Sequence, residues 1–147
     1  MSASVVGVAH TGITVSNIER AIRLFSQVFG ATVTEPVLYV DPVFERVTGI
    51  EKAQIRIAYA DLPGHRIELL EYVSPVDKQP VKARPCDPGH LHLSLKVAGI
   101  DGVIAKMADH GFQPVGPVQK GMNGKEFQVV YTYGFDGLVI ELMDYSD

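Results

Sequence analysis

The sequence predicts an α+β fold: two βαβββ modules forming a curved mixed β-sheet cradle, with helices packed outside. Three observations predict it. The run from His10 to Ile22 returns as the run from His92 to Ile104, an offset of 82 positions. In both copies a Val stands five residues after the His, followed by an Ile, an acid and a second Ile (Ile18, Glu19, Ile22; Ile100, Asp101, Ile104). A second echo closes each copy, where Ile67-Glu68-Leu69-Leu70-Glu71-Tyr72 returns as Ile140-Glu141-Leu142-Met143-Asp144-Tyr145, offset by 73 positions. Within each copy the hydrophobic period also changes from two to 3.6 just after the opening run. Internal repeats of this kind determine architecture, so the 147 residues read as one domain, 1–147, of two related halves. The first module spans about 5–73, the linker about 74–89 and the second module about 90–145.

In chain order, Val5–Val15 alternates as a strand, with Ala9, Thr11, Ile13 and Val15 on one face and His10, Gly12 and Thr14 on the other. Ser16 and Glu19 have the spacing of a capping box. Ile18, Ile22, Phe25 and Phe29 follow at helical intervals, and Gly30 supplies the stop, which predicts a helix over Ile18–Phe29. Thr32–Tyr39 and Ala53–Ala60 are β-prone and Asp41-Pro42 separates them. Val43–Thr48 reads either as a short helical turn or as a loop over the sheet face. Pro63-Gly64 marks a turn, and His65–Val73 is the strand that closes the first half. Pro75, Pro80, Pro85 and Pro88 argue against regular structure in the linker. Leu91–Val97 is the next strand, and Asp101–His110 is the second helix, ended by Gly111. Phe112–Val118 and Glu126–Tyr133 follow as strands around a loop at Gly121–Gly124. Phe135-Asp136-Gly137 turns into the last strand, Leu138–Tyr145.

Composition narrows the function classes. Hydrophobic residues are 46 %, charged residues 20 % and the net charge is −4. The 13 Lys and Arg are scattered without a basic run, so no nucleic-acid partner is expected. No apolar run approaches the roughly 18–20 residues that cross a bilayer, and the first four residues do not resemble a secretory signal, so no membrane association is expected. The lone Cys86 cannot form an internal disulfide, which fits a reducing, cytoplasmic setting.

The residues that carry chemistry are those the repeat duplicates. If the first and last strands of each half lie side by side, His10, Glu68, His92 and Glu141 can converge from four strands. Two imidazoles and two carboxylates suit one divalent ion such as Zn, Ni, Co, Mn or Fe. A lone His or Glu in a strand is more often structural or solvated than a ligand. Packing alone, however, does not require His and Glu to recur in register. His90 is a rival ligand on the face of His92, but His92 is the one aligned with His10. His65 and His110 are expected in solvent, as are Glu71 and Asp144. Cys86 has no adjacent base, and the Gly121–Gly124 run lacks the following Lys-Ser/Thr pair of a phosphate loop and reads more simply as a hairpin loop.

On these residues the chain resembles the vicinal oxygen chelate superfamily, the glyoxalase, bleomycin resistance protein and dioxygenase type. The resemblance covers about residues 5–145 and rests on the paired modules, the His opening each and the Ile-Glu-Leu closing each. It implies a metal held by His10, Glu68, His92 and Glu141, a small-molecule substrate that brings adjacent oxygens to it, and a homodimer. Glu68 discriminates between branches. Isomerases and lyases use that position as a fourth ligand and dioxygenases do not, so the set is closest to glyoxalase I and methylmalonyl-CoA epimerase. The implied reaction removes a proton beside a metal-chelated carbonyl, through an enolate, with Glu141 or Glu68 as the proton carrier. An iron-dependent ring-cleaving dioxygenase and a resistance-type binding protein are the alternatives. Gln54 stands near where the epimerases carry a further carboxylate. Arg56, Arg66 and Lys96 are, by strand face, the candidates for the basic residues with which glyoxalase I binds glutathione.

Overall fold

The computed structural model describes residues 3–122 and 125–145. The chain forms two compact units, 1–78 and 79–147. The first holds β1 (Thr11–Thr14), α1 (Ile18–Arg23), β2 (Thr32–Val33), β3 (Val37–Tyr39), α2 (Val43–Thr48), β4 (Gln54–Leu62) and β5 (His65–Ser74). The second holds β6 (Leu93–Val97), α3 (Ile100–Ala108), β7 (Gln113–Pro114), β8 (Gln119–Met122), β9 (Lys125–Tyr133) and β10 (Val139–Asp144). Each unit is one open mixed sheet of five strands. The order is β1-β5-β4-β2 with β3 also on β4 in the first, and β6-β10-β9-β7 with β8 also on β9 in the second. The first and last strands of each half pair in parallel. The extra strand relative to the expected module arises because Thr32–Tyr39 and the segment from Phe112 to Met122 each break into two short strands.

Each sheet has a helix-covered face and an opposite face. In the first unit α1 packs on β4 and β5. Ile18, Ala21, Leu24 and Phe25 are buried there, as are Ala58, Ala60, Ile67 and Leu69. In the second unit α3 packs against β7 and β10, with Ile100, Met107, Ile140 and Leu142 buried. α2 is the helical alternative for Val43–Thr48, and its Phe44 packs on Ala53, Ile55 and Ile57 on the face opposite α1. Among the described residues no helix is long and apolar enough to cross a membrane.

Several elements are shorter than their alternation suggests. The strand expected over Val5–Val15 is a strand only over Thr11–Thr14, and Val5 and Val6 are exposed. Thr11 pairs with Ile67, and β5 begins at His65, so residues before Ala9 would run past the end of the strand they pair with. Leu91 fails to join β6 for the same reason, since β10 begins at Val139. The helix expected over Ile18–Phe29 is α-helical to Arg23 and continues as a π-helix over Leu24–Val28. There the Ser26 hydroxyl donates to the Ile22 carbonyl at 2.8 Å, competing for an acceptor of the regular ladder. The expected capping box does not form. Asn17 is the cap, its side-chain oxygen accepting from Arg20 N at 2.8 Å, while Glu19 turns to Arg56. α3 begins at Ile100 and ends at Ala108, short of His110. At the expected Gly121–Gly124 loop, Gly121 belongs to β8, whereas Asn123 and Gly124 lie outside the described residues.

Candidate functional site

In the parallel ladder of the first unit, Gly12 is the partner of Glu68, so His10 lies two residues before it on the same face. The His10 imidazole Nε2 is 3.2 Å from Glu68 Oε2. A Cβ at Gly12 would sit 3.8 Å from that oxygen and 3.4 Å from Leu70, both ordinary contact distances. The second unit repeats the arrangement. Ser94 is the partner of Glu141, His92 lies two residues before it, and His92 Nε2 is 3.4 Å from Glu141 Oε2. The carboxylate side chains are 15 % and 17 % exposed and the imidazoles 41 % and 35 %, so in both halves the acid is covered and the His reaches solvent. Within each unit no third His, Cys, Asp or Glu joins the pair among the described residues.

The pairs fit a metal. Nitrogen and oxygen donors about 2.1 Å from one ion lie about 3.0 Å apart at right angles and about 3.4 Å apart at the tetrahedral angle. The observed separations of 3.2 and 3.4 Å fall in that window.

Each pair has a tyrosine that the sequence reading did not single out. On the antiparallel side Tyr59 of β4 is the register partner of Glu68, and Tyr131 of β9 is the partner of Glu141. The Tyr59 hydroxyl donates to Glu68 Oε1 at 3.2 Å. The Tyr131 hydroxyl lies 3.4 Å from His92 Nε2, with the two rings 4.9 Å apart. Burial, and then the charge of the facing glutamate, pushes both phenols above their ordinary range. A signal for them existed. Tyr59 and Tyr131 stand 72 positions apart in matching strands, one step off the 73 of the glutamates because the two turns differ by one residue.

The other candidates fall elsewhere. Glu71 and Asp144 are not the solvated residues expected. Strand alternation puts both on the helix-covered face, where helix N-terminal amides satisfy them. Glu71 accepts from Ile18 N at 3.3 Å and from Arg56 at 2.9 Å, while the buried Asp144 accepts from Gly99 N at 2.8 Å and Ile100 N at 3.0 Å. Arg56 therefore lies on the face away from Glu68. Arg66 shares the face of Glu68, is held by Asp61 at 2.7 Å, and sits 5.0 Å over the Tyr59 ring. Lys96 lies 5.3 Å over the Tyr145 ring. Gln54 pairs with Ser74 at the end of β4 remote from Tyr59. His65 is not free in solvent but bonds to the Thr11 hydroxyl at 2.8 Å. His90 sits in the linker turn, its amide donating to the Asp87 carbonyl at 3.0 Å. His110 is half-buried just beyond α3, and Cys86 is exposed.

Comparison with known proteins gives three kinds of likeness. The family model for the glyoxalase/bleomycin resistance protein/dioxygenase superfamily matches residues 9–131. The mitochondrial methylmalonyl-CoA epimerase of Dictyostelium discoideum is 28 % identical over 138 residues, which are 90 % of this chain and 75 % of that protein. Among solved structures, a glyoxalase family protein from Bacillus cereus is 25 % identical with a TM-score of 0.86, over 97 % of this chain and 95 % of its own. A fosfomycin resistance protein from Listeria monocytogenes, in complex with Mn(II) and 1S,2S-dihydroxypropylphosphonic acid, is 14 % identical with a TM-score of 0.64, over 95 % and 90 %. At that identity the likeness is one of fold.

Proposed function

The chain belongs to the glyoxalase/bleomycin resistance protein/dioxygenase superfamily, and from that premise we propose a metal-dependent isomerase or lyase of the glyoxalase and epimerase type. His10, Glu68, His92 and Glu141 together hold one divalent ion, one of Zn, Ni, Co, Mn or Fe, in a homodimer. The substrate is a small molecule with adjacent oxygens and an acidic C–H beside a carbonyl. When bound, the ion supplies Lewis-acid polarisation of that carbonyl, making the neighbouring C–H easier to ionise.

The chain's residues do the rest. Glu141 or Glu68 takes the proton and returns it to the adjacent carbon or to the opposite face, a transfer worth about 10²–10⁴-fold. The observation carrying this reading is that Glu68 stands to His10 as Glu141 stands to His92, at 3.2 and 3.4 Å. In the dioxygenase alternative Glu68 would be a bystander, and a bystander has no reason to recur in register beside a His. A resistance-type binding protein would bind ligand tightly without turnover.

The deciding experiment incubates the metal-loaded protein with methylmalonyl-CoA, the substrate named in its epimerase relative, in deuterated water. Deuterium entry at the carbon acid supports the reading, and Glu68→Gln should cut the rate at least tenfold. Oxygen consumption with a dihydroxylated aromatic compound, unaffected by Glu68→Gln, would favour the dioxygenase instead.

A further inference from the structure

The Tyr59 hydroxyl meets Glu68 from the side opposite His10. Glu68 Oε1 accepts from Tyr59 at 3.2 Å, and Oε2 faces His10 Nε2 at 3.2 Å. Neither oxygen is exchanged between these partners without rotating the carboxylate. Tyr59 is itself held from several directions. Its backbone N–H donates to the Thr34 hydroxyl oxygen at 2.9 Å, and its carbonyl accepts from Thr34 N at 2.9 Å. Its ring packs on the cluster of Ala53, Ile55 and Ile57. Over the ring lies the Arg66 guanidinium, which Asp61 grips with two hydrogen bonds of 2.7 and 2.9 Å. A chain of contacts thus runs from Asp61 through Arg66 and Tyr59 to Glu68. Packing alone would be served as well by phenylalanine, which has the same ring. What phenylalanine lacks is the hydroxyl, and Tyr131 places a hydroxyl at the matching register position in the other half.

Resting on the metal-dependent reading, we propose that Tyr59 is a positioning residue whose hydroxyl fixes the Glu68 carboxylate with one oxygen turned toward His10, preorganising Glu68 as a ligand. A glutamate on three rotatable bonds loses rotamer freedom when it binds an ion, and a partner that has already removed that freedom strengthens binding. Tyr59 touches neither ion nor substrate and acts through Glu68 only.

The test is titration of the metal-free full-length protein with Mn(II), followed by loss of the free-ion electron paramagnetic resonance signal and by the spectrum of the bound ion. Wild type should bind the ion with a spectrum distinct from that of free Mn(II). Tyr59→Phe should bind it about tenfold to 100-fold more weakly, the usual cost of losing a hydrogen-bond partner of a ligand. It should also change the bound-ion spectrum, which a purely structural residue would not. Tyr72→Phe, on the same sheet face but four residues beyond Glu68, controls for loss of any hydroxyl there and should match wild type within twofold. In a Glu68→Ala background Tyr59→Phe should add less than twofold, because the group it positions is gone. If wild type binds Mn(II) and Tyr59→Phe binds it equally, with the same spectrum, the positioning role is overturned while the metal reading stands. If Tyr59→Phe weakens binding as much without Glu68 as with it, the effect is structural and the proposal falls. If wild type binds no Mn(II), the metal reading fails and takes this inference with it.

Discussion

A single acid at the end of β10 shows how much one side chain can organise. α3 begins after Gly99, whose backbone is left-handed (φ 76°) and which has no side chain to cap with. Asp144, 45 residues away and 4 % exposed, accepts from the Gly99 and Ile100 amides instead. α1, by contrast, has its own Asn17 cap, with Glu71 as a second acceptor. Removing Asp144 therefore leaves two helix-terminal donors without their charged partner, whereas removing Asn17 leaves one donor that water can reach. Asp144→Ala should cost about 2–3 kcal/mol, and Asn17→Ala about 1 kcal/mol. The shift in urea midpoint at constant slope measures both. Equal losses would mean that Asp144 is not the effective cap of α3.

At the scale of elements, α1 is tied to its sheet by charge as well as by its buried Ile18 and Ala21. The Arg56 guanidinium on β4 lies between Glu19 of α1 and Glu71 of β5. The hydrogen bond from Arg56 holds the Glu19 carboxyl below its ordinary value of 4.5. A carboxyl depressed on folding contributes stability that is fully present above its unfolded value. That stability disappears as pH falls through the lower, folded value. The stability difference between wild type and Glu19→Gln should thus be constant from pH 7 down to about 5 and shrink below 4.5. Urea denaturation across that range reads it, and the difference at neutral pH should be small because Glu19 is half exposed. A difference that grew on acidification would refute the assignment.

For the molecule as a whole, the proposal makes two equivalent halves serve one ion. Each unit offers one His and one carboxylate, and two donors alone seldom hold a first-row ion against water. Metal analysis with light scattering to count chains should give one ion per chain in a dimer. Either His10→Ala or His92→Ala should take that number to near zero, since each removes a ligand from the same ion. Two pairs working separately would instead give two ions per chain in wild type and one in each variant.

Much of this was legible in the sequence. The repeat announced two modules, the alternation put Glu68 and Glu141 on defined strand faces, and the expected pairing of first and last strands brought the His of each half toward its acid. These features depend on period and register, which a linear string carries in full. Strand ends, caps and partners were not legible. β1 covers only Thr11–Thr14, α3 is capped from β10, and Tyr59 reaches Glu68 across an antiparallel ladder. Each is decided by what another segment places nearby, and a carboxylate reads the same in the chain whether it faces water or a helix N-terminus. Sequence alone therefore determined the two modules and the His and Glu that each repeats, while tertiary structure decided which side chains stand against them.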